Sequence, residues 1–259
     1  MFDITPIPAF ADNYIWLLKG EDSSEVAVVD PGDATPVLEY LQREQLSLDA
    51  ILITHHHQDH TGGISRLKAA FSNAKIYGPA HESIPKITDP LTEGAKVQLP
   101  WQSDSLKVFD MPGHTAGHIA YFGDGLLFCG DILFAGGCGR VFDGTMEQMA
   151  TALQRIAKLP KETLIYCAHE YTQDNLGFAL WVEPENQAIL QRQKTTQAAR
   201  NQGKPCIPSP LSLELQTNPF LRTQIPTVIA AAERWSGKPL NNNAAIFTAL
   251  RTWKDRDYD

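Results

Sequence analysis

Four histidines fall within seven residues at Thr54-His55-His56-His57-Gln58-Asp59-His60, with a carboxylate between the last two. A buried core has no use for so many imidazoles unless an electron-poor centre takes up their lone pairs. The chemistry that does so is a divalent metal site. The stretch follows Ala50-Ile51-Leu52-Ile53, an apolar β-branched run that predicts a buried strand. His55 and His57 are two apart, so at a strand end they share one side and can grip one ion. By the same alternation His56 points away and is left out of the ligand set. Asp59 and His60 come one bend later, where the chain turns into Gly62-Gly63, and suit a second ion.

Further donors stand singly, each just past an apolar run. His114 follows Leu106–Asp110 and the turn Pro112-Gly113, Asp131 follows Phe128-Cys129-Gly130, and His169 follows Ile165-Tyr166-Cys167-Ala168. His118 opens the next predicted strand, where its ring is either a ligand or a structural hydrogen-bonding partner. His81 sits in a Pro- and Ser-containing stretch that reads as solvated surface. A closed structural zinc site normally uses Cys-rich tetrahedral sets. Here the donors are five histidines and two aspartates with no cysteine, too many for one structural ion. Two adjacent ions about 3.5–4 Å apart are favoured, a hydrolytic device that makes a hydroxide nucleophile near neutral pH. A carboxylate such as Asp131 can bridge them, and Asp59 would orient the hydroxide between them.

These residues need strands that end on a common rim. The first two-thirds of the chain alternates strand-like and helix-like segments. Strands are predicted at 14–18, 25–30, 75–77, 106–110, 118–122, 126–129 and 163–167. Helices are predicted from Thr35-Pro36 to about Gln45 and over 64–71. Another follows Thr145, where Gln148 completes a capping box and Met146, Met149, Leu153 and Ile156 recur at helical spacing. Beyond Tyr171 strand signals vanish. One polar helix is expected over 184–202, then a Pro-rich connector at 204–210, then helices near 226–235 and 243–253. The reading is a catalytic α/β layer domain over 1–170 and a helical appendage over 171–259.

Bulk properties narrow the partners. The chain has 259 residues, 43% of them apolar, enough for a sizeable core without covalent staples. A net charge of −8 argues against nucleic acid or an anionic membrane surface. No apolar run approaches the roughly 18 residues of a membrane span. Cys129, Cys138, Cys167 and Cys206 are scattered and form no C-x-x-C pair, which fits reduced thiols in a cytoplasm. The N-terminus has no signal-peptide pattern, and nothing demands more than a monomer.

The T-H-x-H-x-D-H stretch at 54–60 resembles the signature of the metallo-β-lactamase superfamily, whose fold is a four-layer αββα sandwich. The rest of the chain is similar to the glyoxalase II (hydroxyacylglutathione hydrolase) family. That likeness is carried by Pro112-Gly113-His114-Thr115-Ala116-Gly117-His118, Gly130-Asp131-Ile132-Leu133-Phe134 and Gly136-Gly137-Cys138-Gly139-Arg140. Cys167-Ala168-His169-Glu170-Tyr171-Thr172, Asn218-Pro219-Phe220-Leu221-Arg222 and Arg251-x-x-Lys254-Asp255 complete it. The resemblance implies that His55, His57 and His114 hold one metal, that Asp59, His60 and His169 hold the other, and that Asp131 bridges them. Zinc is expected, with iron or manganese also suited to this donor set. It implies a glutathione site made by Arg140, Tyr171, Arg251 and Lys254, basic residues that give an acidic chain a local patch for an anionic substrate. Phe142 stands where some members carry tyrosine, so no substrate hydrogen bond is expected there. Cys138 is set aside as a nucleophile, because a metal hydroxide already supplies one.

The implied reaction is hydrolysis of the thioester S-D-lactoylglutathione to D-lactate and glutathione, the second step of methylglyoxal detoxification. The chief rival is a glutathione persulfide dioxygenase with a single iron on the same fold. The full second set Asp59, His60 and His169 and the basic tail weigh against it. The acidic charge weighs against a nuclease, the tail against a secreted lactamase, and the unbroken ligand set against a non-catalytic module.

Overall fold

The computed structural model describes residues 2–258, and the chain divides into two compact units. The first comprises Met1–Met111 and Thr115–Gly130, the second Pro112–His114 and Asp131–Asp259. Among the described residues no helix is long and apolar enough to cross a membrane.

The first unit is built on a six-stranded sheet in the order β1 (Asp3–Ala9), β2 (Asn13–Lys19), β3 (Glu25–Val29), β4 (Ser47–Leu52), β5 (Lys75–Pro79), β6 (Asp89–Leu91). β1, β2 and β3 pair antiparallel, whereas β3 through β6 run parallel. Parallel strands are covered on both faces and read as continuous apolar runs, which explains Val26–Val29 and Ala50–Ile53. β1 was not expected. Pro6 and Pro8 disqualify a central strand but are tolerated at an edge, and β1 is the edge.

Helices α1 (Ala34–Glu44) and α3 (Ile64–Ala70) cover one face, where Val37, Leu41, Ile64 and Leu67 join a core with Val26, Val28, Ile51 and Ile53. The cap of α1 is Asp33 rather than Thr35: its carboxylate accepts the Thr35 N–H at 2.8 Å. Between these helices lies the single turn α2 (Gln58–Thr61). A second, antiparallel set of strands follows, β7 (Lys96–Val97), β8 (Leu106–Asp110), β9 (Ile119–Gly123) and β10 (Leu126–Gly130). The two sheets meet through Tyr121 of β9, fully buried, whose hydroxyl donates to the Ile53 carbonyl at 2.8 Å.

The second unit opens with the hairpin β11 (Leu133–Phe134) and β12 (Gly137–Cys138), followed by α4 (Met146–Ile156). The expected capping box is present: Thr145 and Gln148 satisfy each other's backbone N–H. β13 (Leu164–Cys167) pairs with β14 (Ser209–Pro210). Helices α5 (Thr172–Val182), α6 (Gln187–Arg200), α7 (Leu211–Thr217), α8 (Pro226–Ser236) and α9 (Asn243–Trp253) make up the rest, with a short 3-10 turn at Pro219–Leu221 and a π-helical turn at Lys254–Tyr258.

The helix expected over 184–202 is α6, which runs from Gln187 to Arg200, whereas α5 was not expected. Asn186 caps α6 by accepting from Ala188 and Ile189, and a separate α5 precedes it. α5 escapes sequence reading because Leu176, Phe178, Ala179 and Val182 are buried in a segment with no polar stripe to mark a period.

Candidate metal and substrate site

In the first unit the donors come from the loop after β4 and the turn of α2. β4 ends at Leu52, so His55 and His57 lie beyond the strand, and it is the bend into α2 that brings their rings together. Asp30, buried and just past β3, organises the loop. Its Oδ1 accepts the Thr54 N–H at 2.8 Å, its Oδ2 accepts the Thr54 hydroxyl at 2.7 Å, and His60 Nδ1 stands 3.1 Å from Oδ2. The pair is within ion-pair distance but out of hydrogen-bond alignment, and the ring turns its Nε2 toward Asp59. That Nε2 is 3.4 Å from Asp59 Oδ2. Thr54, having given its proton to Asp30, accepts from His55 Nδ1 at 3.0 Å. His55 Nε2 then presents its lone pair 3.1 Å from His57 Nδ1. Asn13 steadies Asp59 by donating to Oδ2 at 3.2 Å. His118 stacks on His55 with ring centroids 4.8 Å apart, so it supports a donor rather than adding one. His56 turns away, as expected, toward Glu82.

In the second unit His114 lies on a loop held tightly to α4. A Cβ on Gly113 would stand 2.7 Å from the Met149 Cα, so only glycine permits the approach. The Arg140 carbonyl lies 2.7 Å from His114 Nδ1, which again fixes the proton there and frees Nε2. Asp131 Oδ2 is 3.5 Å from His114 Nε2 and 3.4 Å from His169 Nε2, so one carboxylate oxygen is shared by two imidazoles. Tyr171 stacks on His169 at 4.8 Å and 5°, and Phe134 meets both rings edge-on.

These separations fit metal ligation. Two atoms bound at about 2.0–2.1 Å to one tetrahedral ion stand roughly 3.3 Å apart. The pairs His55–His57, His60–Asp59, His114–Asp131 and His169–Asp131 lie at 3.1, 3.4, 3.5 and 3.4 Å. Each of these seven residues offers a ligand atom of the kind a divalent ion takes.

A cavity of about 410 Å³ in the second unit is lined by His114, Asp131, Arg140, Tyr171, Arg251 and Lys254, with Phe134, Cys138, Phe142 and Asp174 among its other walls. Arg251 and Lys254 would ordinarily be read as solvated helix surface; they are 1% and 5% exposed. Arg251 Nη1 donates to the Cys138 carbonyl at 3.0 Å, Nη2 donates to Asp255 at 2.8 Å, and the guanidinium lies over the Phe220 ring. Lys254 Nζ pairs with Asp174 Oδ2 at 3.0 Å, and Arg140, more than half exposed, lies 3.6 Å from Asp255. The lining itself holds three cations, Arg140, Arg251 and Lys254, and two carboxylates, Asp131 and Asp174, with Asp255 paired to the arginines beside it. Burial pushes the Cys138 thiol up to about 11, so at neutral pH it is protonated and no nucleophile.

The hairpin that carries this wall is braced from behind by Glu214, fully buried on α7. Glu214 accepts from Arg192, from the Ser209 hydroxyl and, at 2.8 Å, from the Gly136 N–H. Asn218 donates to the Phe134 and Gly137 carbonyls at 3.2 and 2.9 Å.

Comparison with known proteins identifies the family. Residues 10–169 match the family model of the metallo-beta-lactamase superfamily, and residues 170–257 match that of the hydroxyacylglutathione hydrolase C-terminus. The hydroxyacylglutathione hydrolase of Alkalilimnicola ehrlichii is 54% identical over 256 residues, 99% of this chain and 100% of that one. That of Methylobacillus flagellatus is 52% identical over 98% of this chain and 99% of its own. The chain belongs to the hydroxyacylglutathione hydrolase family. Its metallo-β-lactamase fold is shared with ETHE1 from Myxococcus xanthus, 26% identical with a TM-score of 0.58 over 66% of this chain and 76% of that one. It is shared also with a metallo-beta-lactamase from Staphylococcus aureus, 20% identical with a TM-score of 0.63 over 98% and 71%. For a hydroxyacylglutathione hydrolase, the residues that sequence reasoning overlooked are Asp30 and Asn13. Both are buried polar side chains at strand boundaries, and Val28-Val29-Asp30-Pro31-Gly32 reads as an ordinary turn until the carboxylate is seen to face inward.

Proposed function

We propose that the chain hydrolyses the thioester of 2-hydroxyacylglutathiones, with S-D-lactoylglutathione and water giving D-lactate and glutathione. The observation that carries this is the cavity of the second unit. Metal-type donors, His114 and Asp131, share its wall with the anion-binding side chains Arg140, Arg251 and Lys254. A glutathione thioester needs both.

We assign His55, His57 and His114 to one divalent ion, Asp59, His60 and His169 to a second, and Asp131 to both, with zinc the expected metal and iron or manganese alternatives. When bound, such a pair lowers the pKa of a shared water and polarises a carbonyl. Asp59 orients the attacking water, and Asn13 holds Asp59 in place. Thr54 and the Arg140 carbonyl keep the protons of His55 and His114 on Nδ1, and Asp30 holds Thr54 and lies beside the His60 ring. Arg140, Arg251, Lys254 and Tyr171 bind the glutathione moiety, the cations pairing with its carboxylates. Water adds to the thioester carbonyl, the C–S bond breaks, and glutathione leaves as a thiolate. A thiol of pKa about 8.5 is a good enough leaving group to need no dedicated acid. In this reading residues 1–170 carry catalysis and 171–259 carry much of the substrate binding. Four free cysteines support a reducing cytoplasm as its place, and the monomer is taken as its working form.

The test is loss of thioester absorbance from S-D-lactoylglutathione, with metal measured on the same sample. Activity abolished in Asp59→Ala, with close to two metals per chain in the parent, supports the reading. No thioesterase activity, with one iron per chain and oxygen uptake on glutathione persulfide, would sink it.

A further inference from the structure

Within the motif His114-Thr115-Ala116-Gly117-His118 only His114 is assigned to a metal, and within His55-His56-His57 the middle ring is idle. One residue far from both in sequence accounts for the remainder. Glu82, in the turn after β5, has a side chain only 4% exposed. Its Oε2 lies 3.0 Å from His56 Nδ1, and its Oε1 accepts the hydroxyl of fully buried Thr115. Gly117 makes room for it: a Cβ there would stand 2.5 Å from Glu82 Cγ and 3.0 Å from the His81 carbonyl carbon. Thr115 and Gly117, which contribute no donor, therefore both serve Glu82.

We propose that Glu82 is a positioning residue for the metal centre, a buried carboxylate that ties the His-rich turn to the Thr115 loop. Drawing His56 toward Glu82 fixes the twist of the backbone that presents His55 and His57 on the other side. Holding Thr115 fixes the residue next to His114. Glu82 touches no substrate; it pre-organises donors that would otherwise have to be ordered on binding, as partners behind metal ligands commonly do. The inference rests on reading His55 and His57 as ligands.

The experiment measures zinc affinity of the metal-stripped protein by competition with a chromophoric chelator, for the parent, Glu82→Ala, Glu82→Gln and Thr115→Val. Thermal unfolding of the metal-free forms is followed in parallel. Loss of such a partner typically weakens metal binding by ~10–100-fold, and that is the shift expected for Glu82→Ala. Glu82→Gln, which can still accept from Thr115, should fall between. Thr115→Val, nearly isosteric, keeps the test open should Glu82→Ala not fold, and should weaken zinc binding measurably, though less than a ligand substitution at His57 does. Affinity in Glu82→Ala and Thr115→Val within twofold of the parent, even with lower melting temperatures, would reduce Glu82 to a fold-stabilising residue and overturn the proposal. A parent that binds no zinc would instead remove the metal reading beneath it.

Discussion

The Thr54 hydroxyl and the Arg140 carbonyl do the same work at distant points of the sequence: each occupies a histidine Nδ1 and turns Nε2 toward the candidate metal site. Because Asp30 holds Thr54 by two hydrogen bonds and lies beside the His60 ring, Asp30→Ala should release His55 and loosen the turn that carries His60. Metal affinity is expected to drop by ~10–100-fold, with metal content after dialysis falling below two per chain while far-UV circular dichroism is unchanged. An unaltered metal content would show that ring orientation is set elsewhere. The ligand candidates were legible in the sequence because a packed interior seldom tolerates a row of imidazoles just past its strand ends without a metal to bind them. Their partners were not. A lone Asp or Asn beside a turn is most often a turn former, and only tertiary placement tells the inward-facing ones apart.

At the scale of elements, the second unit hangs its cavity wall on a buried charge pair. Glu214 is reached by Arg192, Ser209, Asn218 and the Gly136 N–H, so α6, α7 and the β11–β12 hairpin converge on one carboxylate. Glu214→Ala would strand Arg192 without a counter-charge in the interior. The expected loss is about 3–5 kcal/mol of unfolding free energy, read from a denaturant titration, whereas a change below about 1 kcal/mol would mean that the hairpin is held by packing alone. Elements with strong local signals could be read beforehand: the capping box of α4, the Pro-started α8 and the apolar runs of β3 and β4. The edge strand β1 and α5 could not, since prolines mask the one, and in the other the polar residues Thr172 to Asn175 gather in the first turn instead of lining one face.

For the molecule as a whole, a net charge of −8 coexists with a cavity whose lining carries more cations than carboxylates, so an anionic substrate is drawn by local rather than global charge. The acidic excess also bears on stability. Burial pushes the Glu214 carboxyl up, but Arg192, Ser209 and the Gly136 N–H outweigh it and hold it below its ordinary value of 4.5. Glu183 behaves likewise, burial being overcome by hydrogen bonds from Arg222 and Thr227. A carboxyl whose folded pKa is depressed stabilises the fold above its unfolded value, and that contribution drains away as pH falls toward the folded one. The melting temperature should therefore hold between neutrality and about pH 5, a window set by the usual carboxylate range, and fall steadily below it. A flat profile down to pH 3 would contradict these assignments. Cys138 has a consequence of another kind. A hydroxyacylglutathione hydrolase frees a thiol at every turnover, and when that product is oxidised it becomes a disulfide able to trap any ready thiolate. With its proton retained up to about pH 11, Cys138 is a poor partner for thiol–disulfide exchange. Incubation with oxidised glutathione at neutral pH should leave the Cys138 peptide unmodified by mass spectrometry, so the catalyst keeps working as the thiol pool around it turns oxidising.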